Sequence, residues 1–287
     1  MLKSLVLAAS LVLPFSLHAE SDALDFKVYN ADGNSFHVNA TLISGDKEAI
    51  LVDTGFTRAD ALRLAAEVLD SGKQLTTVFV SQADPDYYFG VATLKQFFPK
   101  AKYLTTPAVH AQISAKLEDK LSFWIPRMGS NAPLKAQLPE IFKGRQLMLE
   151  GKAIEIKGDQ GMLADRPYLW VPSSKTILGN VAVSGGLHLW MADSQSQSER
   201  AAWKAQLAEM AALKPAKVIP GHMLSESFLE QDNIAATLKY LQDFEQAEAD
   251  TQTSAELIDT MQRLYPNAGL AMALEIGAKV SKGEMKW

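Results

Sequence analysis

Two carboxylates flank one proline in Asp84-Pro85-Asp86, just after the β-branched run Thr76-Thr77-Val78-Phe79-Val80. Far along the chain, His222 closes the stretch Val218-Ile219-Pro220-Gly221-His222. Carboxylate oxygen and imidazole nitrogen are donors for divalent metals, and they are also the commonest acids and bases in proton transfer. The chain has no cysteine, which excludes thiolate ligands, cysteine nucleophiles and disulfides. Beyond the first twenty residues only His37, His110, His188 and His222 supply imidazole. Asp84 and Asp86 also have a plainer reading, since an aspartate before a helix can cap its first turn and one before proline can start a turn.

The elements that must position these groups follow from periodicity and turn chemistry. Residues 25–44 read as two strands around the turn Asp32-Gly33-Asn34, and Glu48–Val52 reads as a strand ending in Asp53-Thr54-Gly55. Asp53 is expected to hold that turn by hydrogen bonds. A helix follows, with Thr57 and Asp60 at capping-box spacing, then a short buried strand before Ser81. Residues 87–98 read as one helix, and the segment from Pro107 as a helix ending at Pro126. Phe123, Trp124 and Met128 would then belong to a helix end and a lid-like loop. Strands dominate 145–184; a helix spans about 198–213, with Ser196 and Glu199 at capping-box spacing; "AKVIPGH" reads as a last strand. Strands come in two groups, each followed by helices, a pattern suited to two packed sheets with helices outside.

Composition narrows the function classes. With 47% hydrophobic and 21% charged residues the chain has the make-up of a globular protein. A net charge of −5 and the lack of a basic run argue against nucleic acid as a partner. Residues 1–19 have a positive start, an apolar run from Leu5 to Leu17 and a small residue at Ala19, the order of a cleaved signal peptide. The expected location is periplasmic or secreted, with no stable membrane insertion after cleavage. There is no Gly-x-Ser-x-Gly elbow, no Gly-x-Gly-x-x-Gly loop and no Walker lysine motif.

Four pieces in order, "LVDTG" (51–55), "SQADPDYYFG" (81–90), "ILGNV" (177–181) and "VIPGH" (218–222), resemble the metallo-β-lactamase superfamily across nearly the whole mature chain. That resemblance implies an α/β fold, a four-layer αββα sandwich. It spans residues 20–225, with a helical C-terminal extension at 226–287 packed on the same domain. The family pattern is Asp-x-Gly, then a Thr-His-x-His-x-Asp-His ligand loop, a Gly-His turn, a Gly-Asp strand end and a final Pro-Gly-His. The departures are large. Gln82, Asp84 and Tyr87 stand at the three loop-histidine positions, Asp159 is the nearest substitute at the Gly-His turn, and Asn180 replaces the bridging aspartate. Only Asp86 and His222 are unchanged.

The resemblance therefore implies not the usual two-zinc centre but an altered, carboxylate-rich one. Its metal ligands would be Asp84, Asp86, His222 and Asp159, holding a divalent metal (zinc, manganese or iron), with Asp86 and His222 as the catalytic groups. Gln82, Tyr87, Asn180 and His188 are expected to line the pocket. His188 reads equally well as a packing residue, and His37 and His110 are expected to be packing residues. The leading expectation is a divergent hydrolase-like protein acting on a small-molecule substrate, without β-lactamase activity. The alternatives are a non-catalytic small-molecule-binding relative that has lost the metal site, and a metal-independent enzyme using a His222–aspartate pair.

Overall fold

The computed structural model describes residues 23–133, 135 and 137–287, so the expected signal peptide lies outside the described residues. The first sheet runs β1 (Asp25–Asn30), β2 (Asn39–Ser44), β3 (Glu48–Val52), β4 (Gln74–Phe79), β5 (Lys102–Thr105) and β6 (Glu140–Ile141), in that order. Its first two pairings are antiparallel and the rest parallel. Next come β7 (Gln146–Leu149), β8 (Lys152–Lys157), β9 (Tyr168–Val171) and β10 (Thr176–Leu178). The short β11 (Ser184–Gly185), β12 (Lys217–Val218) and β13 (His222–Met223) complete the strands. The second sheet has the order β12-β10-β9-β8-β7, while β11 and β13 pair with each other.

Period-two alternation divides the strand residues between three apolar layers. Leu42, Leu51, Val78 and Tyr103 face the helices α1 (Arg58–Asp70), α2 (Pro85–Tyr88), α3 (Val91–Phe97) and α4 (Pro107–Met128). Their sequence neighbours Ile43, Ile50, Phe79 and Leu104 face the other way and meet Leu149, Ile154, Leu169 and Val171 of the second sheet. On that sheet's far side, Tyr168, Trp170 and Ile177 pack with α5 (Gln197–Ala212), α6 (Asn233–Asp250), α7 (Ser254–Leu264) and α8 (Ala271–Ser281). The result is the four-layer αββα sandwich, with the C-terminal helices sharing the second sheet's apolar layer. Among the described residues no helix is long and apolar enough to cross a membrane.

Both expected capping boxes form, Thr57 with Asp60 and Ser196 with Glu199. Three boundaries differ from the sequence expectation. The helix expected over 87–98 is split at Gly90 into α2 and α3. A Cβ on Gly90 would lie 2.0 Å from the Thr54 carbonyl oxygen, so the break is where the chain crosses the end of β3. Helix α4 continues through Pro126 to Met128. Proline in the last turn removes a single backbone bond there, and the Arg127 side chain donates to the Phe123 carbonyl at 2.6 Å. The last expected strand is divided into β12 and β13, because Pro220 has no N–H to continue a ladder.

Replacing Gly90 with alanine should therefore destabilise the fold by about 1–3 kcal/mol or more, as overpacking does. Urea unfolding measures this, and a midpoint equal to that of the unmodified protein would show that the crossing has slack.

Candidate functional site

The site begins at the end of β3. Asp53 has a left-handed backbone (φ 67) and a buried carboxyl. Its carboxyl reaches past its own turn to Ser81, accepting from the Ser81 N–H at 2.7 Å and the Ser81 hydroxyl at 2.8 Å. Next to it, the Thr54 N–H and hydroxyl both donate to the Tyr87 carbonyl at 2.9 Å. The loop from Ser81 to Gly90 is thus held at its start, its middle and its end by the Asp53-Thr54-Gly55 turn. Burial without a cationic partner pushes the Asp53 carboxyl up to about 7, against the opposing effect of the two Ser81 bonds.

From that loop Asp86 faces His222, with Asp86 Oδ2 3.5 Å from His222 Nε2. The imidazole is fixed by its other nitrogen, since Nδ1 lies 2.9 Å from the Phe36 carbonyl and must donate its proton there. The His222 backbone is held from both sides, by Ser184 of β11 and by Val38. Phe36 and His37 both adopt left-handed conformations (φ 56 and 57), and this tight turn delivers the Phe36 carbonyl to the imidazole. Burial moves the two partners toward neutrality. Asp86 is pushed well above the carboxylate range by desolvation and then by the Asp84 charge, and His222 is lowered to about 4 by desolvation. Asp84 is likewise raised, by burial and by Asp193, with Lys120 and Arg166 opposing.

A cavity of about 240 Å³ opens over this pair. Phe36, Phe56 and Trp124 form one aromatic wall, with ring centroids of Phe36–Phe56 at 5.2 Å and Phe56–Trp124 at 5.0 Å. Trp190 and Trp287 form another, 5.4 Å apart, with the Trp287 indole N–H donating to Asp193 at 2.6 Å. Asp84, Lys120 and Arg166 add charge to the lining. Arg166, Lys120, Phe56 and Trp287 carried no motif that marked them. Phe36 alone had a signal, its place beside the Asp-Gly-Asn turn.

The remaining expected site residues are distributed as follows. His188 lines the cavity; Gln82, Tyr87 and Asn180 are buried but are not on its wall. Gln82 donates to the Pro167 carbonyl at 2.8 Å. Asn180 donates to the Ile219 carbonyl at 3.0 Å and accepts from the Val183 N–H at 2.9 Å, so both ends of its amide are engaged. The Tyr87 hydroxyl donates to the Asn180 carbonyl at 3.3 Å, and the ring stands edge-on to His222 at 5.5 Å. Gly221 packs against the same two groups, and its Cβ, if present, would lie 2.7 Å from the phenol oxygen. Asp84 sits at the N-cap of α2 but makes no capping bond.

The expected ligand residues are placed as follows. Asp86 and His222 meet and Asp84 lines the same cavity, but Asp159, after β8, is not on its wall. Among the described residues no three His, Cys, Asp or Glu side chains gather into a group able to hold an ion. The Tyr87 phenol fills the space between His222, Gly221 and Asn180; the Asn180 amide and the Gln82 NH2 are committed to backbone, and Gln82 Oε1 is buried without a hydrogen-bond partner. The donors present do not fit a two-zinc centre, which needs a histidine-rich cage.

The family model described as the metallo-beta-lactamase superfamily matches residues 33–222. Among solved structures, a metallo-beta-lactamase family protein from Thermus thermophilus is similar at 16% identity, with a TM-score of 0.62, covering 91% of this chain and 93% of that one. A beta-lactamase domain protein from Burkholderia ambifaria is similar at 13% identity and a TM-score of 0.61, over 90% and 84% of the two chains. A metallo-beta-lactamase from Pontibacter korlensis follows at 15% identity and 0.55, over 77% and 94%. At these identities the likeness shows the fold. No match was found among curated proteins.

The raised Asp53 has a stability consequence whose sign is fixed. Its folded value, about 7, lies above the unfolded 3.8, so unfolding releases a proton between those limits. The Asp53 contribution is fully present below about pH 4 and is lost as pH rises to 7 and beyond. Asn at this position keeps an acceptor for the Ser81 N–H, tolerates the left-handed backbone and cannot ionise. Asp53→Asn should gain stability relative to the unmodified protein between pH 4 and 8, by an amount on the order of a few kcal/mol. Denaturant melts across that range measure the difference, and an unchanged pH dependence would refute the assignment.

Proposed function

The chain belongs to the metallo-β-lactamase superfamily, and from that premise we propose that its inherited cleft binds a small, uncharged, largely apolar molecule without a metal, over a neutral Asp86–His222 pair. The observation that carries this reading is the 3.5 Å gap between Asp86 Oδ2 and His222 Nε2. It is too long for the two groups to satisfy each other fully, since O–H donors reach their acceptors at about 2.7–2.8 Å. Because Nδ1 donates to the Phe36 carbonyl, Nε2 presents a lone pair. A protonated Asp86 presents an O–H beside it. A ligand hydroxyl or amide placed over the pair would meet one donor and one acceptor together.

The cavity supports the same reading. Its aromatic walls supply apolar area, and about 240 Å³ exceeds the roughly 150 Å³ of an apolar cavity that takes up a benzene-sized guest. Mostly apolar pockets with a few polar groups are the common form of small-molecule sites. The Asp86–His222 arrangement also favours a second reading, in which the pair performs metal-independent hydrolysis. Asp86 would give its proton to a leaving group, and His222 Nε2 would take one from an attacking water.

The test uses 4-phenylbutan-1-ol and n-butylbenzene as probes in thermal melts. Both should raise the melting temperature, the alcohol more than the hydrocarbon, and equally well in the presence of a metal chelator. His222→Leu should remove the alcohol's advantage. Stabilisation that requires an added divalent ion and vanishes on chelation would overturn the reading.

A further inference from the structure

A second imidazole, His188, looks onto the same cavity from the segment after β11, and its contacts fix which of its nitrogens carries the proton. His188 Nδ1 lies 2.8 Å from the Tyr240 hydroxyl, and both residues are buried, at 3% exposure each. Tyr240 comes from α6, where it shares the apolar layer with Leu241 and Phe244. A buried hydroxyl proton needs an acceptor, and His188 Nδ1 is the acceptor within reach. Tyr240 therefore donates, Nδ1 accepts, and the neutral ring carries its proton on Nε2.

His188 Nε2 has no hydrogen-bond partner among the described residues, and it is not one of the buried atoms left unsatisfied there. The small exposed part of this ring is on the cavity wall. Its sequence neighbours Leu187, Leu189 and Trp190, and Ile276 of α8, line the same cavity. Burial lowers the basicity of the ring, which keeps it a neutral donor.

We infer that His188, oriented by Tyr240, presents an Nε2–H donor to the cavity and selects ligands that carry an uncharged acceptor oxygen, such as a ketone or ester carbonyl, on an apolar body. This rests on the small-molecule reading of the cleft and adds the substrate class to it. The site then holds two imidazoles of opposite character. His222 offers a lone pair because a carbonyl takes its Nδ1 proton, and His188 offers an N–H because a hydroxyl fills its Nδ1 lone pair. A neutral donor favours a neutral acceptor over a carboxylate, whose charge would lose hydration, while the cavity's cations are already engaged, Lys120 and Arg166 facing Asp84 and Arg166 donating to Ser194 and the Asp193 carbonyl. Tyr240 is a positioning residue and touches no ligand.

Two measurements test this. The first is the ¹⁵N spectrum of the imidazoles in the full chain at pH 7, assigned with His188→Gln. His188 should show an unprotonated Nδ1 and a protonated Nε2, and the reverse tautomer would overturn the proposal without any variant having to fold.

The second is calorimetric titration with butyrophenone, n-butylbenzene and 4-phenylbutyrate. The ketone should bind about three- to tenfold more tightly than the hydrocarbon, the worth of one hydrogen bond, and the carboxylate more weakly than the ketone. Tyr240→Phe and His188→Leu should remove the ketone preference while n-butylbenzene still binds, and His188→Gln, which keeps an N–H near the same place, should restore part of it. Equal affinity for ketone and hydrocarbon, or a preference that survives His188→Leu, overturns the role of His188 alone. Failure of every probe to bind overturns the small-molecule reading and this inference with it.

Discussion

Everything at the site depends on the clamp between the turn after β3 and the loop from Ser81 to Gly90. Asp53 takes both donors of Ser81, Thr54 gives two hydrogen bonds to the Tyr87 carbonyl, and Gly90 lies against the Thr54 carbonyl with no room for a side chain. Backbone groups in a buried loop need partners, and this turn supplies them. The clamp sets where α2 starts, and so sets both the direction of the Asp86 carboxyl and the depth of the Tyr87 ring. The cost is an aspartate buried without a counter-charge.

With that loop fixed, the chemistry of the cleft is decided by what its side chains touch. Tyr87 fills the space beside Asn180 and Gly221, and the amides of Gln82 and Asn180 are turned onto backbone carbonyls. Members of this superfamily typically hold divalent metals, and here the matching loop positions carry a phenol and amides turned onto backbone carbonyls, with Gln82 Oε1 left buried without a partner. Asp86 and His222 are left facing each other in an aromatic cavity. Two ionised groups in such surroundings would incur a large desolvation penalty, so a neutral pair is the stable form.

Much of the fold was legible in the sequence because it rests on local rules. Period-two alternation in Leu42-Ile43, Ile50-Leu51 and Val78-Phe79 sorts residues between layers, and the two capping boxes mark helix starts. The loop and its partner His222 were legible through motif order. What was not legible depends on contacts between distant segments. Nothing near Gln82 announces that its amide reaches Pro167, and nothing near Asp159 shows that it stays off the cavity wall. Trp287 packs edge-on against Trp190 and Tyr240 orients His188, each through tertiary packing alone. The split of 87–98 at Gly90 was hidden for the same reason, because its cause is the Thr54 carbonyl more than thirty residues earlier.

The central proposal is that Asp86 and His222 form a neutral pair in a cleft whose donors do not fit a two-zinc centre. A ¹⁵N-detected pH titration of His222, run with and without stoichiometric zinc, tests it most directly. The account predicts a ring that stays neutral, protonated on Nδ1, until the pH falls to about 4, with the same spectrum when zinc is added. Titration near the ordinary histidine value of about 6.5, or a shift of the Nε2 resonance on adding zinc, would contradict it.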